Sequence, residues 1–190
     1  MKLRDVLRLV HLRKFELNRT QRLLNRVVLA DDFRAIARRR LPRAVFDYVD
    51  GGAEEEITMR ANRAAFASRQ LHPRLLRDVS VADISGAVFG QSFRAPIGLS
   101  PTGYTRMMHP TGEISSCRAA MVAGMPYVLS TVGTTTIEEV AGTGHPNLWF
   151  QLYITSDHRL SDPLVDRAAA AGYKALEVTI DTSVVGRRRR

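Results

Sequence analysis

Four short apolar runs, each closing on polar residues, constrain this chain more than any other feature. They are APIGLSPTGY over 95–104, MPYVLSTVGTT over 125–135, LWFQLYI over 148–154 and ALEVTID over 175–181. Runs of this length and composition read as buried strands, and helix-like segments lie between them. Such alternation builds a parallel sheet with helices on its faces. Function-capable side chains stand at each strand's exit, the end where a (β/α)8 barrel assembles its chemistry. The expected fold class is therefore α/β of the TIM-barrel type, in which only the first four β/α units are present, preceded by helices and a small hairpin. A doubly wound open sheet is the competing architecture. No GxGxxG follows the first strand, and polar residues close every strand rather than one switch point, which favours the barrel.

The leading segments are less regular. Residues 3–12 and 20–29 carry leucine and valine at helical spacing with arginine on the other face. Asp31 and Asp32 offer an N-cap for FRAIARRR, which Pro42 interrupts. RAVFDYVD forms a second short helix stopped at Gly51-Gly52. EEEITMRANRAAF follows, with its acids expected in the first turn. VADISGAVFGQSFRAP reads as a hairpin turning near Gly90-Gln91, placed as a lid over the bottom of the barrel. Helices near 112–123 and 158–171 are expected to stop at Gly124 and Gly172.

Charge divides the chain. The net charge is +9, and residues 1–43 hold 13 Lys/Arg against 4 Asp/Glu, so they account for all of it. The expected organisation is a basic helical arm over 1–30 and a half barrel over 31–190. The arm reads as a solvated extension and is a candidate for peripheral contact with an anionic membrane face. It has no aromatic interleaving, so nucleic acid is not an expected partner. No apolar stretch reaches the ~18–20 residues of a membrane span, and MKLRDVLRLVHLRKF lacks the apolar core of a secretory signal. The expected location is cytoplasmic. Cys117 is the only cysteine, which leaves no disulfide framework and reads as a small buried side chain. No HxH or HExxH spacing occurs, so no metal is expected.

Residues two apart on a strand share a face. Gln151 and Tyr153 therefore point one way, as do Thr179 and Asp181, while Ser130 and Thr131 end the preceding strand and Ser100, Thr102 and Gly103 the first. Neutral hydrogen-bonding groups of this kind suit a planar, heteroatom-edged ligand better than hydrolysis; each alone is equally a residue that satisfies loop backbone. Asp181, a carboxylate closing an apolar strand, is expected to have a cationic or imidazole partner. His109, in MMHPTGE, is expected to pack its loop. His11, His72, His145 and His158 lack a partner motif.

The segments LPRAVFDYVDGGAEEE, APIGLSPTGYTRMMHPTGE, LSTVGTTTIEEVA, WFQLY and TIDTSVVGRRR, in order and from about residue 30 onward, closely resemble the FMN-dependent α-hydroxy acid dehydrogenases and oxidases. That family includes glycolate oxidase, the flavin lactate dehydrogenases and mandelate dehydrogenase; the body with its extra basic N-terminal arm most resembles the bacterial membrane-associated L-lactate dehydrogenases. The resemblance implies FMN as cofactor and oxidation of an L-2-hydroxy acid, with L-lactate foremost, to the 2-keto acid. By position it implies that Tyr48 and Arg188 bind the substrate carboxylate, and that Pro101, Thr102 and Gly103 lie beside the flavin. Ser130, Gln151 and Thr179 would bind the flavin's polar edge. Tyr153 would contact the substrate and stabilise the transition state, and Asp181 would orient the catalytic histidine. The electron acceptor (quinone, cytochrome or oxygen) stays open, and a homo-oligomer is implied for the full-length form.

In the family, that histidine, a substrate arginine, a flavin lysine and the phosphate site belong to later motifs, His-Gly-Gly-Arg among them. The 190 residues alone are therefore expected to be inactive and, with two open sheet edges, to self-associate. A non-catalytic half barrel that needs a partner chain, and a flavin-free binding protein, are the alternatives.

Overall fold

The computed structural model describes residues 16–182, 184 and 186–189, so the expected helix over 3–12, with His11, lies outside the described residues. The chain forms two compact units that divide between Asp50 and Gly51.

The first unit holds helices α1 (Arg19–Leu24), α2 (Ala30–Arg40) and α3 (Arg43–Asp50). The helix expected over 20–29 is short, capped by the Asn18 carboxamide on the N–H groups of Thr20 and Gln21. Asp31 and Asp32 do not cap α2 but lie in its first turn, with Leu29 at the N-cap. The Asp32 carboxylate reaches back to the N–H groups of Leu29 and Val28, at 3.0 and 2.8 Å, and these bonds hold it below the usual carboxylate range. The chain therefore enters the helix one turn earlier than the acids suggest. Leu41, ahead of Pro42, is extended, as a residue before proline must be, and separates α2 from α3. Arg34 clasps Asp50 in a two-point ion pair that ties those helices together.

The second unit begins with α4 (Ile57–Ala67). Glu54, Glu55 and Glu56 precede this helix rather than filling its first turn. Glu54 and Glu56 have φ of 49° and 56°, a backbone path no helix can incorporate. A hairpin of β1 (Gly86–Val88) and β2 (Gln91–Phe93) follows. It turns at Phe89-Gly90, one residue earlier than expected, with both φ values positive as a two-residue hairpin turn requires. The Trp149 indole donates to the Gln91 amide oxygen at 3.1 Å, and the Phe89 and Phe93 rings stand 5.7 and 6.2 Å from the indole. This seats the hairpin against the entry half of a sheet strand, away from the polar strand exits.

That sheet is parallel, in the order β3 (Tyr127–Ser130), β4 (Leu148–Tyr153), β5 (Ala175–Thr179). Helix α5 (Gly112–Ala123) leads into β3, and α6 (Ile137–Ala141) and α7 (His158–Ala170) connect β3 to β4 and β4 to β5. Of four expected strands the first is reduced to one bridge, in which Leu99 donates to Pro126 and accepts from Val128. Pro96 and Pro101 flank it and have no N–H to extend a ladder. Gly124 and Gly172 follow α5 and α7 with φ of 70° and 83°, the stops the sequence announces.

The sheet has two unlike faces. Tyr127, Leu129, Leu148, Phe150 and Leu152 pack with Cys117, Ala120, Ile137, Val140 and Ala168 into the helix-side core. Val128, Ser130, Trp149, Gln151 and Tyr153 take the alternate positions. On β5, Leu176 and Val178 are exposed, as is Ile180 just beyond it, so this edge of the sheet is apolar and uncovered.

Candidate functional site

At the exits of β3, β4 and β5 a line of hydrogen bonds crosses the sheet. The Ser130 hydroxyl donates to the Gln151 amide oxygen at 3.1 Å, and that oxygen also accepts from the Thr131 N–H at 3.1 Å. The Gln151 amide nitrogen donates to the Thr179 hydroxyl at 2.8 Å. The Thr131 hydroxyl joins the Gln151 carbonyl to the Tyr153 N–H, at 2.5 and 3.1 Å. Gln151 is buried at 2% exposure and held on both sides, so its orientation is fixed by its neighbours. Thr179, having accepted from Gln151, retains its own proton to donate, and the amide retains a second N–H. Ser130, Gln151 and Thr179, singled out from strand spacing, are thus brought together, with half-buried Tyr153 at the end of the same strand.

The loop after the Leu99 bridge runs beside this line. Tyr104 donates to the Val132 carbonyl at 3.1 Å, which places Pro101, Thr102 and Gly103 against the segment that leaves β3. A Cβ at Gly103 would fall 2.5 Å from the Val132 side chain and 3.4 Å from its carbonyl oxygen. Gly103→Ala is expected to push these loops apart and lower stability by about 1–3 kcal/mol; thermal unfolding against wild type measures it, and an unchanged Tm would show that the loops adjust freely. Pro101 also lines a cleft of about 310 Å³ shared with Val128, Trp149 and Glu177.

Glu113, which strand-end reasoning overlooked, is completely buried at the start of α5. It accepts from the Thr134 N–H at 2.6 Å, the Thr134 hydroxyl at 2.9 and 2.8 Å, and the Thr135 hydroxyl at 2.7 Å. Burial alone would raise its pKa, but the hydrogen bonds win and hold it at about 2. A glutamate three residues after a proline and ahead of an apolar helix looks like an ordinary first-turn acid. The threonine run in STVGTTT was the available clue, since those donors need an acceptor.

The other residues singled out from the sequence have surroundings of their own. Asp181 is exposed just beyond β5. The strand ends at Thr179, so the carboxylate lies in open solvent and burial forces no pairing. Arg188 donates to the Gly51 carbonyl at 2.9 Å, and neighbouring Arg189 pairs with Glu55. Tyr48 lies on α3 in the first unit. His109 bonds the Thr111 hydroxyl at 2.7 Å within its own loop. His145 is buried with Nδ1 accepting from Asn147, and burial pushes its pKa down. Cys117 is fully buried against Thr143, and burial pushes its thiol up, away from nucleophilic chemistry. Among the described residues there is no metal-holding cluster and no helix long and apolar enough to cross a membrane.

Parallel β/α units with polar exits and a hairpin at the opposite end define a segment of a (β/α)8 barrel. Residues 37–190 match the FMN-dependent dehydrogenase family, and the chain belongs to that family. It is 42% identical over its whole length to a Mycobacterium tuberculosis protein provisionally named L-lactate dehydrogenase, of which it covers 46%. It is 43% identical over 157 residues to glycolate oxidase 5 of Oryza sativa subsp. japonica, covering 83% of this chain and 42% of that protein. A crystal structure of mandelate oxidase superposes with a TM-score of 0.80 at 38% identity, over 83% of this chain and 47% of the other. The chain therefore spans a little under half the length of these relatives.

FMN is the family's cofactor. The donor set fits one part of it: the Ser130–Gln151–Thr179 line leaves an amide N–H and a hydroxyl to face a flat ring edge bearing carbonyl and imide groups. Pro101–Gly103 supplies a close-packed loop beside that line.

Proposed function

We propose that this chain forms the flavin-reading part of an enzyme that oxidises an L-2-hydroxy acid, L-lactate foremost, to the 2-keto acid. The carrying observation is the fixed Gln151 amide with Ser130 and Thr179 on either side. FMN supplies the two-electron sink. Ser130, Gln151 and Thr179 hold the ring's polar edge, and Pro101, Thr102 and Gly103 flank the ring. Tyr153 reaches the substrate and stabilises charge that develops on it. Tyr48 and Arg188 take the carboxylate, the guanidinium by paired hydrogen bonds. Asp181 orients an imidazole base, and its exposed position leaves it open to such a partner. Lactate is favoured over glycolate because the Mycobacterium relative matches all 190 residues, the basic arm included, whereas the plant glycolate oxidase matches 157. The location that goes with this reading is cytoplasmic, with the arm against the inner membrane face, and an oligomer of like subunits for the full-length form.

The test has two parts. A polypeptide of these 190 residues is expected to quench FMN fluorescence, with Gln151→Leu weakening binding about tenfold or more, and to show no hydroxy acid oxidation. Absence of quenching in wild type overturns the flavin reading for this chain, and turnover overturns the need for a base from elsewhere. The native gene product, isolated and its intact mass measured, is expected to oxidise L-lactate with higher kcat/KM than glycolate or L-mandelate; the reverse order overturns the substrate. A second reading, a half barrel completed by another chain, is favoured by the uncovered Leu176 and Val178, and a co-purifying second polypeptide would select it.

A further inference from the structure

Glu113 stands outside the polar line yet fastens both loops that border it. Thr134, in the loop after β3, gives its N–H and hydroxyl to the Glu113 carboxylate, and its hydroxyl oxygen in turn accepts the Arg106 N–H at 3.1 Å. Two residues back, the Val132 carbonyl accepts from Tyr104, so the same two loops are joined twice. Thr135 adds a bond to the second carboxylate oxygen. A Cβ at Gly133 would lie 3.0 Å from both Leu129 and the Ser130 carbonyl and 3.5 Å from the Glu113 carboxylate, so the loop is drawn tightly over this anchor. Tyr104, where the first loop is caught, has φ of 55°. A tyrosine persists in that conformation only where its surroundings over-determine it.

An acid that is completely buried and is met by threonine donors, the Thr105 hydroxyl of the 104–106 turn together with Thr134 and Thr135 of the 131–136 loop, is a costly device for stability alone. We propose that Glu113 is a positioning residue: its carboxylate fastens the 131–136 loop to the 104–106 turn and so sets the spacing between Pro101–Gly103 and Ser130–Gln151, the gap in which the flavin ring edge is read. The inference rests on the FMN reading for its functional half and on geometry alone for its mechanical half. Removing the anchor loosens Thr134, and through it Arg106 and Tyr104, whose backbone N–H groups bond Thr134 and Val132 rather than the carboxylate.

Amide hydrogen exchange on the 190-residue chain, with FMN fluorescence quenching in parallel, separates these halves. In Glu113→Gln, exchange at Thr134, Arg106 and Tyr104 is expected to quicken by about tenfold or more while Val128, bonded to Leu99 within the sheet, stays protected. FMN affinity is expected to fall about tenfold. Faster exchange at Thr134 alone overturns the clamp, because the carboxylate would then be a local acceptor only. Loosened loops with unchanged FMN affinity overturn its role in the flavin site. If Val128 also loses protection, the variant has unfolded and Thr135→Val decides, since it deletes one bond from the anchor. It is expected to quicken Arg106 and Tyr104 exchange and weaken FMN about threefold; wild-type behaviour overturns the proposal. Wild type that binds no FMN removes the flavin reading and leaves the exchange pattern to support or overturn the clamp.

Discussion

Replacing Phe150 by alanine is expected to lower stability by about 3–5 kcal/mol and to remove the cooperative unfolding of the parallel sheet. Phe150 is 2% exposed at the centre of β4, the middle strand. Its ring meets Tyr173 edge-on at 6.2 Å, and the Tyr173 hydroxyl donates to the Ile137 carbonyl at 3.1 Å. One side chain thus joins β4, α6 and the turn after α7. No neighbouring backbone can close on the cavity, because β3 and β5 already hold β4 on both sides. Urea unfolding followed by far-UV circular dichroism measures the loss. Phe150→Leu is expected to cost about half as much or less, and a loss below about 1 kcal/mol in the alanine variant would place the centre of the core elsewhere.

Acid is expected to destabilise the second unit through Glu113. Its carboxyl titrates near 2 when folded and near the ordinary 4.5 when unfolded. The stabilisation is therefore fully present above about pH 4.5 and is lost as pH falls toward 2, because only the unfolded chain takes up the proton through most of that window. The full effect is bounded at about 3 kcal/mol. Tm measured across this range should fall more steeply in wild type than in Glu113→Gln, whose side chain cannot titrate. Parallel profiles would show that the folded carboxyl is not held low.

How much of this was legible in the sequence depends on where each signal resides. The strands β3, β4 and β5 were plain because apolar runs closed by polar residues are a local pattern, and the stops at Gly124 and Gly172 followed from a single residue's backbone freedom. Ser130, Gln151 and Thr179 were found from alternation, and their meeting follows from parallel register. Other features depend on contacts that no local pattern records. The first run looked like a strand by composition, yet its prolines leave one bridge. Asp32 looked like a cap, but its carboxylate turns back to Val28 and Leu29. Glu113 is separated by more than one whole strand from the threonines that define it, and only the fold brings them together. Asp181 closes an apolar run and is nonetheless exposed, which alternation along the strand does not show.

The strand order carries a consequence for how the molecule comes into being. Each strand pairs with the one made just before it, through a connection that holds its own helix. Parallel pairs are slow to form when their partners are far apart in the chain; here each new pair closes over a single helical connection. As synthesis proceeds at about 5–20 residues per second, β3 and β4 can associate before β5 leaves the ribosome, and each finished pair becomes the template for the next. Assembly is then directional, from the Leu99 bridge toward β5. The apolar edge at Leu176 and Val178 is its growing front, the place where a nascent chain would most need a chaperone's cover.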